Sequence, residues 1–205
     1  MNLLKILPLA FVMVAGPQIL SAIFLATSEA WRRNTMAYVT GAAISITIVA
    51  SIAYLASSGA PRKGGSNPVV NIIVLVLLVA AMVHTFITRK TSEPPKWMGR
   101  LQTARPGFSF KLGFLLLGVF PTDILTSVAV GSYLSSHGDP WWHLLPFLAL
   151  TLLFLGLPAL ALVAFGKRGQ DFLPKARDWM NTHSWVVSEI VLVFFIAITI
   201  NSLVG

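Results

Sequence analysis

The chain has 205 residues, 56% of them hydrophobic and 11% charged, with a formal net charge of +8 and no cysteine. Soluble domains carry roughly 25% charged residues, so the composition excludes one and points to an integral membrane protein. The missing cysteines exclude disulfides, thiolate metal sites and dithiol redox relays. Six apolar runs, at about residues 3–28, 36–58, 68–88, 109–135, 143–165 and 186–204, each reach the ~20 residues that cross a hydrocarbon layer. They leave too little chain for a separate soluble domain.

The first run carries Gly16-Pro17-Gln18 in its interior and ends near Glu29, Trp31, Arg32 and Arg33. It continues past the roughly 7–15 apolar residues of a signal peptide, so a membrane span is expected rather than a cleaved leader. The second run follows, then Gly64-Gly65-Ser66, which lacks a following Lys-Ser/Thr and reads as a turn rather than a phosphate-binding loop. The third run holds Asn71 at its start and His84 near its end. A basic, proline-containing linker over 89–108 leads to the fourth run, which contains Pro121-Thr122-Asp123. After the fifth run, Phe172, Leu173, Ala176, Trp179 and Met180 recur at helical spacing among charges, the pattern of a short helix lying on the membrane surface. The sixth run opens with Ser188 and Glu189. All six tryptophans fall at run ends or in loops, where their amphipathic rings act as interfacial anchors.

Two echoes divide the chain. Pro17-Gln18-Ile19-Leu20-Ser21-Ala22-Ile23 is repeated, with one insertion, by Pro121-Thr122-Asp123-Ile124-Leu125-Thr126-Ser127-Val128. Val69-Val70-Asn71-Ile72-Ile73 is matched by Val186-Val187-Ser188-Glu189-Ile190. A three-span unit over 1–88 is therefore expected to recur over 109–205, the two forming one structural domain. The Lys and Arg sort by alternate loops: Lys5, Arg62 and Lys63 against Arg32, Arg33, Arg89, Lys90, Lys96, Arg100, Arg105, Lys111, Lys167, Arg168, Lys175 and Arg177. Basic loops stay cytoplasmic, which puts both termini outside a multi-pass cytoplasmic membrane protein. Three-span units in tandem enter the membrane from opposite sides, so the copies are inverted. Pro17 then lies ~21 Å and Pro121 ~18 Å from their points of entry, counted at 1.5 Å per residue. The charges mark topology and contact with anionic head groups; no basic face on a folded domain suggests nucleic-acid binding.

The expected fold is an all-α membrane protein of six helices in two inverted repeats, with helices 1 and 4 broken. Proline inside a helix removes a donor and clashes with the preceding turn. Each break exposes the N–H groups and positive dipole end of a new half-helix, which suit an anionic group. The candidate substrate site between spans 1 and 4 comprises Gly16, Pro17, Gln18, Ser21, Pro121, Thr122, Asp123 and Thr126. An acid at mid-span is costly and marks a functional pathway; Asp123 could carry a coupling proton or cap the half-helix after Pro121. Glu29, Asn71, Ser188 and Glu189 are secondary candidates. No nucleophile–base set or acid-rich metal cluster occurs, so no catalytic residue, metal or cofactor is expected.

Gly16-Pro17-Gln18 resembles the Gly-Pro-Gln/Asp start of the lysine-exporter (LysE) superfamily. The longer stretch from Gly16 to Asn34, with Tyr38-Val39-Thr40-Gly41 beyond it, resembles the GAP/Sap branch of glycolipid-addressing proteins. The resemblance implies a six-span exporter of two inverted repeats, similar in core to CcdA-type thiol carriers but without their cysteines. It also implies export of a lipid, glycolipid or small anionic metabolite, beside a larger lipid transporter or synthase. Three alternatives stay open: an amino-acid or small-solute exporter, a non-transporting scaffold for such a partner, and an intramembrane enzyme; the chain could also pair as a homodimer.

Overall fold

The computed structural model describes residues 3–58 and 103–183, residue 101, and scattered helical positions at 76–87 and 186–200. Among the described residues all regular structure is helical, without a strand. The first run forms α1 (Leu3–Val14) and α2 (Pro17–Ala26), whose axes bend by 62°. Gly16 makes this corner with φ 112 and ψ −142, a conformation that costs glycine little. Pro17 then starts α2 in its first turn, where a backbone N–H would find no partner within the helix.

Helix α3 (Trp31–Ser57) is unbroken over 27 residues and begins five residues before the second apolar run. The fourth run forms α4 (Pro106–Val119) and α5 (Pro121–Ser136), bent by 66°. Here the corner residue is Phe120, held extended at φ −65 and ψ 129, because the proline ring that follows pushes its predecessor out of the α region. A 3₁₀ turn (Trp141–His143) leads into α6 (Leu144–Phe165), and α7 (Lys167–Thr182) follows after Gly166. The helix from Trp31 and the one from Trp141 are each long and apolar enough to cross a bilayer. Each bent pair would make one more span, four in all among the described residues. Spans 3 and 6 are described only at scattered positions, and Asn71, His84, Gly64-Gly65-Ser66 and Ser188 lie outside the described residues.

Residues 1–61 and 95–177 form one compact unit; residues 62–94 and 178–205 form another. In the first, α3 packs along α4 and α5, while α6 packs along α1 and α2. Small residues let α3 and α4 approach with backbones nearly touching, as in membrane helix pairs generally. A Cβ at Gly113 would run into the Tyr38 carbonyl, and one at Gly41 into the Phe110 carbonyl. At the far end of α3, Ser57 bonds Ser132 at 2.9 Å, the Trp141 indole donates to Ser51 at 2.9 Å, and the Tyr54 hydroxyl donates to the Asp139 carbonyl at 3.0 Å. At the near end Asn34 donates to the Ser28 hydroxyl and the Ala104 carbonyl, each at 2.9 Å.

Helix α7 is amphipathic as expected, but its apolar residues divide. Leu173 is buried against Ala26 and Leu162, whereas Phe172 and Trp179 are exposed. Trp31 packs against the same cluster, so it serves the protein interior as well as a run end. In the second unit, the Trp179 and His183 rings stack at 5.0 Å between centroids.

Candidate polar site at the two helix breaks

The two corners face each other. Gln18 is the second residue of α2 and Asp123 the third of α5, and both are 1% exposed. The Gln18 side-chain Nε2 donates to Asp123 Oδ2 across 105 residues of chain. The Tyr38 hydroxyl on α3, fully buried, donates to the Gln18 backbone carbonyl at 3.0 Å. Three apolar segments thus converge on one polar cluster.

The cluster keeps unused hydrogen-bonding capacity. Among the described residues Gln18 Oε1 and the Ser127 hydroxyl are buried without a partner; Ser127 stands one turn beyond Asp123. Buried polar groups left unpaired are costly and few in native proteins, so each is a place where a ligand, water or proton would find a bond. The Asp123 carboxylate takes the Gln18 amide but, among the described residues, no backbone N–H of the turn it opens. Its geometry is that of a cross-helix partner rather than a cap.

The other sequence candidates separate. Ser21 and Thr126 are buried, but their hydroxyls donate back to the carbonyls of Pro17 at 2.6 Å and Thr122 at 2.8 Å, four residues earlier. This local bond competes with outward reach and often bends helices. Gly16 and Pro17 are half-buried at the corner; Pro121 and Thr122 are exposed. Glu29 is exposed in the α2–α3 connection, away from the buried pair. Glu189 is a half-buried helical position of the second unit. Tyr38 and Ser127 are the members that the sequence reading passes over, although both stand as polar side chains inside apolar runs.

No curated protein and no solved structure matches the chain. The sequence pattern of the Sap family, described as sulfolipid-1-addressing protein, matches residues 6–203. With nearly its whole length covered, the chain belongs to the sulfolipid-1-addressing protein family.

Proposed function

We propose that the protein is an exporter of the secondary-transporter type in the cytoplasmic membrane, moving a lipid or glycolipid outward by alternating access at the Gln18–Asp123 pair. The observation that carries this reading is that pair itself: a buried acid and amide joining two broken helices at their breaks. Transporter sites are commonly built at such discontinuities, and membership of a lipid-addressing family supports a lipid cargo. The broader tie to the LysE superfamily, and the reading of spans 1–3 and 4–6 as inverted repeats, belong to the same proposal. Two parallels support the repeat: bends of 62° and 66°, and the reciprocal packing of α3 on the second broken pair and α6 on the first.

The chemistry suits exchange. An ionised Asp123 with Gln18 Oε1 beside it accepts hydrogen bonds from the hydroxyls of a sugar or polyol head group. A protonated Asp123 needs no such donor and leaves the dipole ends of α2 and α5 to an anion. Cargo and proton therefore compete for one carboxylate, which couples outward cargo movement to inward proton movement. The protein needs no cofactor or metal for this, and performs no bond chemistry.

The chain has no cysteine, which makes a direct test simple. Ser21→Cys and Thr126→Cys, both at buried positions, should react with a membrane-impermeant thiol reagent from each side of the membrane in turn. The balance should shift when a proton gradient is imposed. A scaffold for a lipid synthase or pump would leave both thiols unreactive from either side. A small-solute exporter would show the same labelling, but liposomes would then release amino acids rather than lipid.

The asymmetry of Lys and Arg between alternate loops supports a topology with both termini outside. A C-terminal alkaline phosphatase fusion should be active and a C-terminal green fluorescent protein fusion dark; the reverse pattern would overturn the orientation.

A further inference from the structure

A second feature lies apart from the buried pair. The first ten residues of α3 and the last ten of α6 leave between them a groove of about 490 Å³. Its walls are apolar: Met36 and Val39 from α3, and Gly156, Ala159, Leu160 and Val163 from α6. Met36, Leu160 and Val163 are exposed, so the groove opens outward from the helices. Along α3 it runs from Trp31 to Thr40, about 14 Å at 1.5 Å per residue.

Among its lining residues the groove carries charge at one end; at the other the Thr40 hydroxyl is spent on the Met36 carbonyl at 2.8 Å. Arg32 lines its mouth, held 5.1 Å above the Trp31 ring. Arg33 follows on α3, and Lys167 and Arg168 follow the end of α6; all four cations are exposed. Glu29 stands three residues before Arg32. Among the described residues, however, the ion-pair distance is met at Asp139–His143 and not at Arg32 or Arg33. One turn deeper, Thr35 lines the groove with its hydroxyl buried and without a partner; the residue is only 6% exposed. The order from the mouth inward is therefore cation, lone hydroxyl donor, apolar slot. A glycerophospholipid presents the complementary order of phosphate, ester carbonyl and acyl chain.

We propose that this groove holds one acyl chain of an anionic phospholipid drawn from the surrounding bilayer, its phosphate at Arg32 and an ester carbonyl at the Thr35 hydroxyl. The bound lipid fills the space left between α3 and α6. The assignment does not rest on the transport reading, since neither Gln18 nor Asp123 takes part.

Gly156 offers a clean test, because a Cβ added there meets nothing within 4 Å. Gly156→Leu should fill the slot without displacing backbone. Native mass spectrometry of the protein purified in neutral detergent would titrate dioleoylphosphatidylglycerol, dioleoylphosphatidylcholine and glycerol 1-phosphate. Wild type should retain the phosphatidylglycerol about fivefold better than the phosphatidylcholine, whose choline offsets its phosphate; that is the worth of one Arg beside a net anionic head group. Arg32→Gln should erase that preference. Gly156→Leu should weaken both lipids by about tenfold, because chain methylenes supply most of the affinity. Val163→Glu, at the exposed rim, is the second variant should the leucine prevent folding, and it should weaken phosphatidylglycerol selectively. The proposal is overturned if folded Arg32→Gln and Gly156→Leu bind phosphatidylglycerol as wild type does. Equal retention of the two lipids by wild type, or displacement of the lipid by equimolar glycerol 1-phosphate, would overturn it as well.

Discussion

Asp123→Asn should reduce proton-driven efflux at least about tenfold while leaving the protein folded, since an acid kept at mid-span is costly without a use. The structure gives the substitution a particular meaning. Asn retains the size of Asp, and its amide oxygen can still accept the Gln18 Nε2 hydrogen bond that joins the two broken helices. What disappears is the titratable charge. Thermal unfolding in detergent should therefore stay close to wild type, and cargo should still bind. Dependence on the imposed proton gradient should vanish, so that residual efflux is the same with and without it. Efflux at the wild-type rate across the pH range would remove the coupling role. It would also leave the buried acid as a structural partner of Gln18 alone. Gln18→Glu is the informative companion, because two carboxyl groups at that separation cannot both ionise at low cost; it should stabilise the closed pair in acid and split it in alkali.

Gly113→Val should lower the midpoint of thermal unfolding by roughly 2–12 °C, corresponding to about 1–3 kcal/mol of overpacking. Its Cβ would lie 2.9 Å from the Tyr38 carbonyl carbon and 3.1 Å from Tyr38 Cδ2. Backbone cannot retreat as a flexible side chain can, so α3 must move away from α4. Tyr38 also supplies the hydroxyl bond to the Gln18 carbonyl, so efflux should fall with stability. Gly107→Ala, on the same helix and with nothing within 4 Å of the added Cβ, serves as the control and should leave the melting midpoint within a degree or two. Equal melting of Gly113→Val and wild type would show that α3 and α4 do not pack as described.

The broken helices are legible in the sequence because proline inside an apolar run has an unavoidable local effect. Residues 16–18 and 120–123 carry that effect whatever surrounds them. The rotational phase after the break is not legible. A corner resets which face of the following half-helix points inward, so Thr122 turns outward while Asp123, one residue on, is buried. Thr126 and Ser21 sit at buried positions, but local geometry spends their hydroxyls on their own helices. Tyr38 escapes notice for another reason. A tyrosine near the end of a span ordinarily reads as an interfacial anchor. Its inward role depends on the close approach of α3 to α4 at Gly41 and Gly113, a contact between segments about seventy residues apart. The divided face of α7 has the same origin, since the spacing of Leu173 and Phe172 cannot tell a protein surface from a membrane surface.

The corner before α2 depends on the residue that occupies it, while the corner before α5 depends on the residue that follows it. At Gly16 any side chain would be forced into a backbone region that L-residues rarely adopt. At Phe120 almost any amino acid is compatible, provided Pro121 remains. A mutational scan should therefore find intolerance at position 16 and freedom at position 120, at equivalent points of nearly equal bends. Related chains can respell the second corner many times over while the first stays monotonous, so the likeness of the two bends would outlast any likeness between the residues that make them.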